Sequence, residues 1–118
     1  MSELKPIILA AAVASFLLNA PVHAAGADQR PVADFNSCAK PHYPAASLAA
    51  KHEGKVDMSF LVDTSGVVHE AKIVNSSGHE ALDVAARDAI KLCKFAPARK
   101  DGLAVKEWAR VQYVWTLK

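Results

Sequence analysis

Five histidines and two cysteines are the residues best suited to metal or nucleophilic chemistry in this chain of 118 residues. His42, His52, His69 and His79, taken with Cys38, could be imagined as a zinc ligand set. No pair of them falls at a zinc-site spacing. Ser76-Ser77-Gly78-His79 brings a hydroxyl near an imidazole. It lacks the strained turn that exposes a catalytic serine and any group that would orient the base. Cys38 and His42 are separated by a Pro-interrupted stretch, a poor frame for a thiolate–imidazole pair. Asp57, Asp63, Asp83 and Asp101 are single carboxylates at predicted turns or exposed positions, and no two are placed to share acid–base work. These residues therefore read as a non-enzyme that holds neither metal nor cofactor.

The aromatic residues near the C-terminus suggest recognition instead. Val111, Tyr113, Trp115 and Leu117 share one parity; Trp108, Arg110, Gln112, Val114 and Thr116 share the other. Tyr113 and Trp115 read as core, where burying such rings stabilises by a few kcal/mol (about 1.5–3 each). Trp108, on the opposite parity, is a candidate anchor for a bound peptide.

Composition narrows the classes. The net charge is +2, far from the basic excess of a nucleic-acid binder. Charges are interspersed, so a mixed solvated surface is expected. Residues 1–24 read as a secretory signal peptide, with Lys5 closing the n-region, an apolar run from Ile7 to Leu18, and Val22-His23-Ala24 before the cleavage point. The apolar run is shorter than the roughly 20 residues of a membrane span. Membrane contact would follow only if this segment were retained. The expected location is the periplasm, and residues 25–37, with Gly26 and Pro31 and no periodicity, read as a flexible leader. The domain proper is then 38–118. Two cysteines in a small exported domain argue for a Cys38–Cys93 disulfide.

The elements that must position these residues follow from periodicity. Pro44 suits the first turn of a helix over Ala45–His52, stopped by Gly54. Val56, Met58, Phe60 and Val62 alternate with polar residues and predict a strand with one buried face. Asp63-Thr64-Ser65-Gly66 is a turn, and Val68–Val74 a second strand, giving an antiparallel hairpin. Ser77 and Glu80 have capping-box spacing. Leu82, Ala85, Ala86, Ala89, Ile90 and Cys93 then recur at helical spacing. Phe95–Gly102 reads as a loop and Ala104–Leu117 as a final strand. The order is helix-strand-strand-helix-strand: an α+β fold with a three-stranded antiparallel sheet and helices packed on one face. Its last strand is expected to leave an edge uncovered, and such an edge is either a binding surface or an aggregation hazard.

In this order, the landmarks resemble a known family. They are Pro41-His42-Tyr43-Pro44, Glu53-Gly54-Lys55-Val56, Phe60-Leu61-Val62-Asp63 with Gly66, Ser76-Ser77-Gly78, Leu82-Asp83-Val84-Ala85-Ala86, Phe95-Ala96-Pro97-Ala98 and Gly102. Over about residues 38–117 the chain resembles the C-terminal domain of the TonB family of periplasmic energy transducers. The resemblance implies the same element order. It also implies capture of an extended segment of an outer-membrane receptor along the last strand, here Trp108 to Leu117, by β-augmentation. The implied partner-binding residues are Lys40, Pro41, Tyr43, Trp108, Arg110, Gln112, Val114 and Thr116. Lys40 stands where the family often has Gln before Pro. Family transducers have an anchor and a Pro-rich spacer. The cleavable-looking leader and missing spacer imply a freestanding module with an accessory role in TonB-dependent transport. The alternative is a structural or assembly protein that homodimerises through the same edge.

Overall fold

The computed structural model describes residues 28–118. The signal peptide read over residues 1–24 lies outside the described residues. Among the described residues, no helix is long and apolar enough to cross a membrane.

The central sheet is built from β2 (Gly54–Val62), β3 (Val68–Asn75) and β7 (Glu107–Trp115), all antiparallel, in the order β3-β2-β7. Alternation in β2 does what its sequence dictates. Val56, Met58, Phe60 and Val62 are fully buried, and their neighbours face the other side. Helix α1 (Ala45–Ala49) and helix α2 (Glu80–Ile90) complete the predicted order. Leu82, Ala86 and Ile90 of α2 close over the same core. Each large side chain buried there contributes about 1.5–3 kcal/mol.

Two glycines are fixed by close approach. A Cβ on Gly66, at φ +89°, would lie 2.1 Å from the carbonyl oxygen of Phe95. One on Gly54 would lie 2.6 Å from that of Ser77. Asp63 organises the turn before Gly66. Its carboxylate accepts from the Ser65 and Val67 N–H groups at 2.8 and 3.0 Å, from the Ser65 hydroxyl at 2.8 Å, and contacts His69 Nε2 at 2.7 Å. The Val67 and Ser65 bonds, with His69, hold this carboxyl well below the usual range.

Several expectations need correction. α1 is shorter than Ala45–His52; it ends at Ala49, and Lys51 just beyond its C-cap, at φ +59°, takes the left-handed position expected of Gly54. Gly54 instead opens β2. No capping box forms at α2: His79 is the N-cap and lends no side-chain bond. Asp83 reaches back instead, accepting from the Ser77 N–H at 2.8 Å and from the Ser76 hydroxyl. Burial raises the Asp83 pKa, but these bonds outweigh it, so the net shift is downward.

Phe95–Gly102 is not a loop. It carries β4 (Lys94–Ala96) and β5 (Ala98–Lys100). β5 turns through Asp101 and Gly102, at φ 53° and 81°, into β6 (Leu103–Val105). Paired positive φ values make this a mirror-image hairpin turn, for which Asp-Gly is a preferred sequence. β6 and β7 are therefore separate strands, broken at Lys106. Within the stretch 25–37, read as a leader without periodicity, the described residues carry short pairings. β1 (Val32–Asp34) pairs with β4, and Gln29 bridges Arg99. Residues 25–27 lie outside the described residues.

Cys38 and Cys93 form a disulfide with Cα atoms 4.7 Å apart, closing 55 residues of sequence. It ties the segment after β1 to the end of α2. In the chain-entropy model such a link contributes about 4 kcal/mol. Urea unfolding with and without reductant should differ by about that amount. Coincident curves would remove the staple from the account of stability.

Acid should also unfold the domain. Asp63 and Asp83 have folded pKa values below the ordinary Asp value of about 3.9. Their contribution is present above that value and is lost as pH falls through the lower folded values. Unfolding free energy should be level between about pH 7 and 5 and decline below about pH 4. A level profile down to about pH 2 would contradict these carboxylate assignments.

Candidate functional site

The two edges of the sheet differ. β3 pairs with β2 through two register shifts, which leave His69 and Val74 as extra residues. Bulges of this kind twist a strand edge and blunt it against pairing. β7 pairs with β2 without a shift over nine residues, from Gly54↔Trp115 to Val62↔Glu107. Among the described residues, its backbone makes no further backbone hydrogen bond outside that ladder.

Alternation tells which β7 groups are free. Asp63 N–H donates to Val67 O at 2.9 Å across the β2–β3 turn. β2 itself carries no extra residue, so its odd-numbered backbone groups turn toward β3 and its even-numbered ones toward β7. The bonded β7 residues are then Glu107, Ala109, Val111, Tyr113 and Trp115. The N–H and C=O groups of Trp108, Arg110, Gln112 and Val114 face outward at the edge.

The side chains follow the predicted parity. Ala109 and Trp115 are buried, while Val111, Tyr113 and Leu117 are half-buried on the helix side. Trp108, Arg110, Gln112, Val114 and Thr116 are exposed on the other side. Trp108, the candidate anchor, is partly exposed: it is 37% accessible, with the Lys72 ammonium 4.5 Å from the ring centroid. A cation at that position over an indole is attracted to the ring face. On the same face Asp57 accepts from Gln112 Nε2 at 2.8 Å and from Asn75 Nδ2 at 3.1 Å. One carboxylate thus joins all three strands. The Gln112 bond, then the Asn75 bond, lowers its pKa.

Trp115 holds the end of β7 in place. Its indole N–H donates to Leu82 O at 3.1 Å. Its ring meets Tyr43 edge-on at 4.8 Å and Tyr113 at 4.9 Å, geometry that aromatic pairs favour. Tyr43 in turn donates its hydroxyl to His52 O. The segment Lys40–Tyr43 is thereby set alongside β7. Between them lies a groove of about 340 Å³, with Lys40, Pro41, His42 and Tyr43 on one side and Tyr113, Val114, Trp115 and Thr116 on the other.

The structure thus groups the residues read from the sequence. Lys40, Pro41, Tyr43, Val114 and Thr116 line one groove. Arg110, Gln112 and Trp108 continue along β7 on the outer face. Sequence reasoning missed Asp57 as the cross-strand tie, because parity alone marks it only as an exposed carboxylate. Among the described residues, no three His, Cys, Asp or Glu groups cluster as metal ligands. His52 and His79 stack with ring centroids 3.9 Å apart at the N-terminus of α2, where His79 is the N-cap.

A family model described as the Gram-negative bacterial TonB protein C-terminal matches residues 39–117. Protein TonB of Haemophilus influenzae is 34% identical over 90 residues, covering 71% of this chain and 33% of that protein. Protein tonB2 of Pseudomonas aeruginosa is 39% identical over 71 residues, covering 60% of this chain and 26% of its own length. Protein TonB of Neisseria gonorrhoeae is 42% identical over 59 residues, covering 50% and 21%. The chain therefore spans a third or less of the length of these relatives. The solution NMR structure of the Pseudomonas aeruginosa TonB CTD superposes with a TM-score of 0.59 at 20% identity, covering 75% of this chain and 87% of that one. At that identity the likeness establishes the fold.

The Trp115 contacts yield a test. Trp115→Phe keeps a ring but removes the donor to Leu82 O. Losing that bond, worth about 0.5–1.5 kcal/mol, and shrinking a buried ring should together cost about 1–3 kcal/mol. Chemical denaturation of Trp115→Phe and Trp108→Phe measures the contrast. The second substitution, at a partly exposed ring, should cost no more than about 0.5 kcal/mol; equal losses would contradict the anchoring role.

Proposed function

The chain belongs to the TonB C-terminal family, and from that premise we propose that it is a periplasmic protein-binding module. It captures an extended segment of a partner as an added strand along β7. The partner indicated by the family is an outer-membrane TonB-dependent receptor, and the role is an accessory one in TonB-dependent transport. The observation that carries this reading is the contrast between the two edges: β3 is broken by two bulges, and β7 runs regular for nine residues. Free N–H and C=O groups on a regular edge supply the main-chain bonds of β-augmentation, and the side chains around it supply selectivity. Trp108, Arg110, Gln112, Val114 and Thr116 are the flanking side chains on one face. Lys40, Pro41 and Tyr43 border the groove at the end of the strand.

Homodimerisation through the same edge is the competing use of these groups. Light scattering across concentration separates the two. A monomer with a free edge accords with capture; a tight dimer that consumes β7 favours self-assembly.

Two proline substitutions test the edge directly. Val114→Pro removes an outward N–H and should abolish pull-down of outer-membrane receptors while the domain stays folded, since proline is tolerated on the open side of an edge strand. Tyr113→Pro removes an N–H bonded to β2 and should destabilise by about 3 kcal/mol or more. Full binding by a folded Val114→Pro variant would end the augmentation reading.

A further inference from the structure

Beside the edge of β7 lies a second cavity that this reading leaves unused. It measures about 380 Å³ and is lined mainly by Phe35, Cys38, Pro41, Ile90, Cys93 and Tyr113. That size is within the range of small-ligand sites, about 300–1,000 Å³. Its walls are almost wholly apolar, and part of one wall is the Cys38–Cys93 disulfide itself. Ile90 and Cys93 are buried, so the floor is core. Phe35 is 56% exposed, which leaves its ring available to a further apolar group.

Strand geometry says what could enter. A strand added to β7 lies about 4.8 Å away in the same sheet and alternates its side chains between the two faces. Its residues on the Tyr113 parity point to the helix side, and the cavity lies on that side next to Gln112 and Tyr113. Its residues on the Gln112 parity point to the outer face, among Arg110, Gln112 and Lys72. One set therefore meets an apolar hollow and the other a polar, wet surface.

We propose that this cavity is a specificity pocket for one bulky apolar side chain, Leu, Ile, Phe or Met, on the captured segment, with polar neighbours on either side of it. The proposal rests on strand capture by β7. It adds that selection among segments is made by the disulfide-walled pocket. The residues that decide it are then Phe35, Ala39 and the staple, none of which lies on β7. Main-chain bonding to the edge accepts many sequences; the pocket is what discriminates.

The experiment is selection of a phage-displayed random nonapeptide library on the full chain in mild detergent. Selected peptides are remade synthetically and titrated against the native chain and three variants. Peptides should converge on one bulky apolar position flanked by polar residues. Ala39→Trp, at an exposed wall position, should fill the cavity and weaken them at least about tenfold, the equivalent of losing burial of one such side chain. Phe35→Ala should weaken them less, and replacing the apolar peptide residue by Asn should mimic Ala39→Trp and make that variant's effect disappear. Val114→Pro separates the two readings. Peptides that need an intact Val114 but are indifferent to Ala39→Trp overturn the pocket and leave strand capture standing. Peptides that bind Val114→Pro at full strength, or a selection that yields no edge-dependent peptide, overturn both. Circular dichroism of each variant confirms that the fold is retained; if Ala39→Trp unfolds, Ala39→Leu fills the same space, and its indifference overturns the pocket equally.

Discussion

The burial of Trp115 is the contact on which the geometry of the edge depends. Its indole sits at the end of β7, opposite Gly54, and donates to the Leu82 carbonyl of α2. A side chain that large cannot shift by one residue without turning to the solvent face, because strand parity has period two. The register of β7 on β2 is thereby fixed. Tyr43 and Tyr113 then close on the ring from two sides. A single side chain thus joins the sheet, α2 and the segment before α1.

With register fixed, the outer face can be tied. Asp57 accepts from both flanking strands through Gln112 and Asn75. Hydrogen bonds to a carboxylate are stronger than neutral ones, roughly twofold. They resist splaying of the sheet at the place where β7 is open. The opposite edge receives different treatment. Bulges at His69 and Val74 interrupt the ladder on β3 and spoil it as a template. The fold protects one edge and leaves the other regular.

The sequence was legible where one residue in two meets the core. Val56 to Val62 and Val111 to Leu117 alternate, and the structure buries the first predicted face and turns the second, half-buried around Trp115, to the helix side. Leu82, Ala86 and Ile90 at helical spacing gave α2. The cysteine pairing followed from compartment and count, and the structure contains it. The short strands were not legible. β1, β4, β5 and β6 have three residues each, too few to show a period; β1 and β4 exist through pairing with one another across the chain, and β5 and β6 as a local hairpin. Asp101-Gly102 was a usable hairpin signal that the reading of a loop passed over. The capping box failed because Ser77 serves its own turn, and Asp83 takes over the bonding from within the helix. At the site, parity named the outer residues of β7, but Lys40, Pro41 and Tyr43 came only through the family resemblance. Phe35 and Ile90 were invisible as neighbours, since the disulfide and the β1–β4 pairing bring them together across more than half the described chain.

Stiffness of the edge has a thermodynamic consequence. A small domain has little core to spare, and local opening would cost least at a strand bonded on one side only. Here β7 is held at three levels: Trp115 inside, Asp57 outside, and the Cys38–Cys93 link that anchors the neighbouring segment to α2. In the proposed capture an incoming segment would meet a surface already held in place, and most of the ordering cost would fall on the segment. Each of its residues gives up roughly 1–2 kcal/mol of backbone freedom on joining a strand. Main-chain bonds, at a net of about 0.5–1.5 kcal/mol apiece, do no better than offset this. Net affinity for a short segment must then come from side chains, and the apolar hollow between Phe35, Ile90 and Tyr113 is where such a contribution can be made. In the proposed capture the regular edge would supply alignment, and the surface beside it the affinity that distinguishes one segment from another.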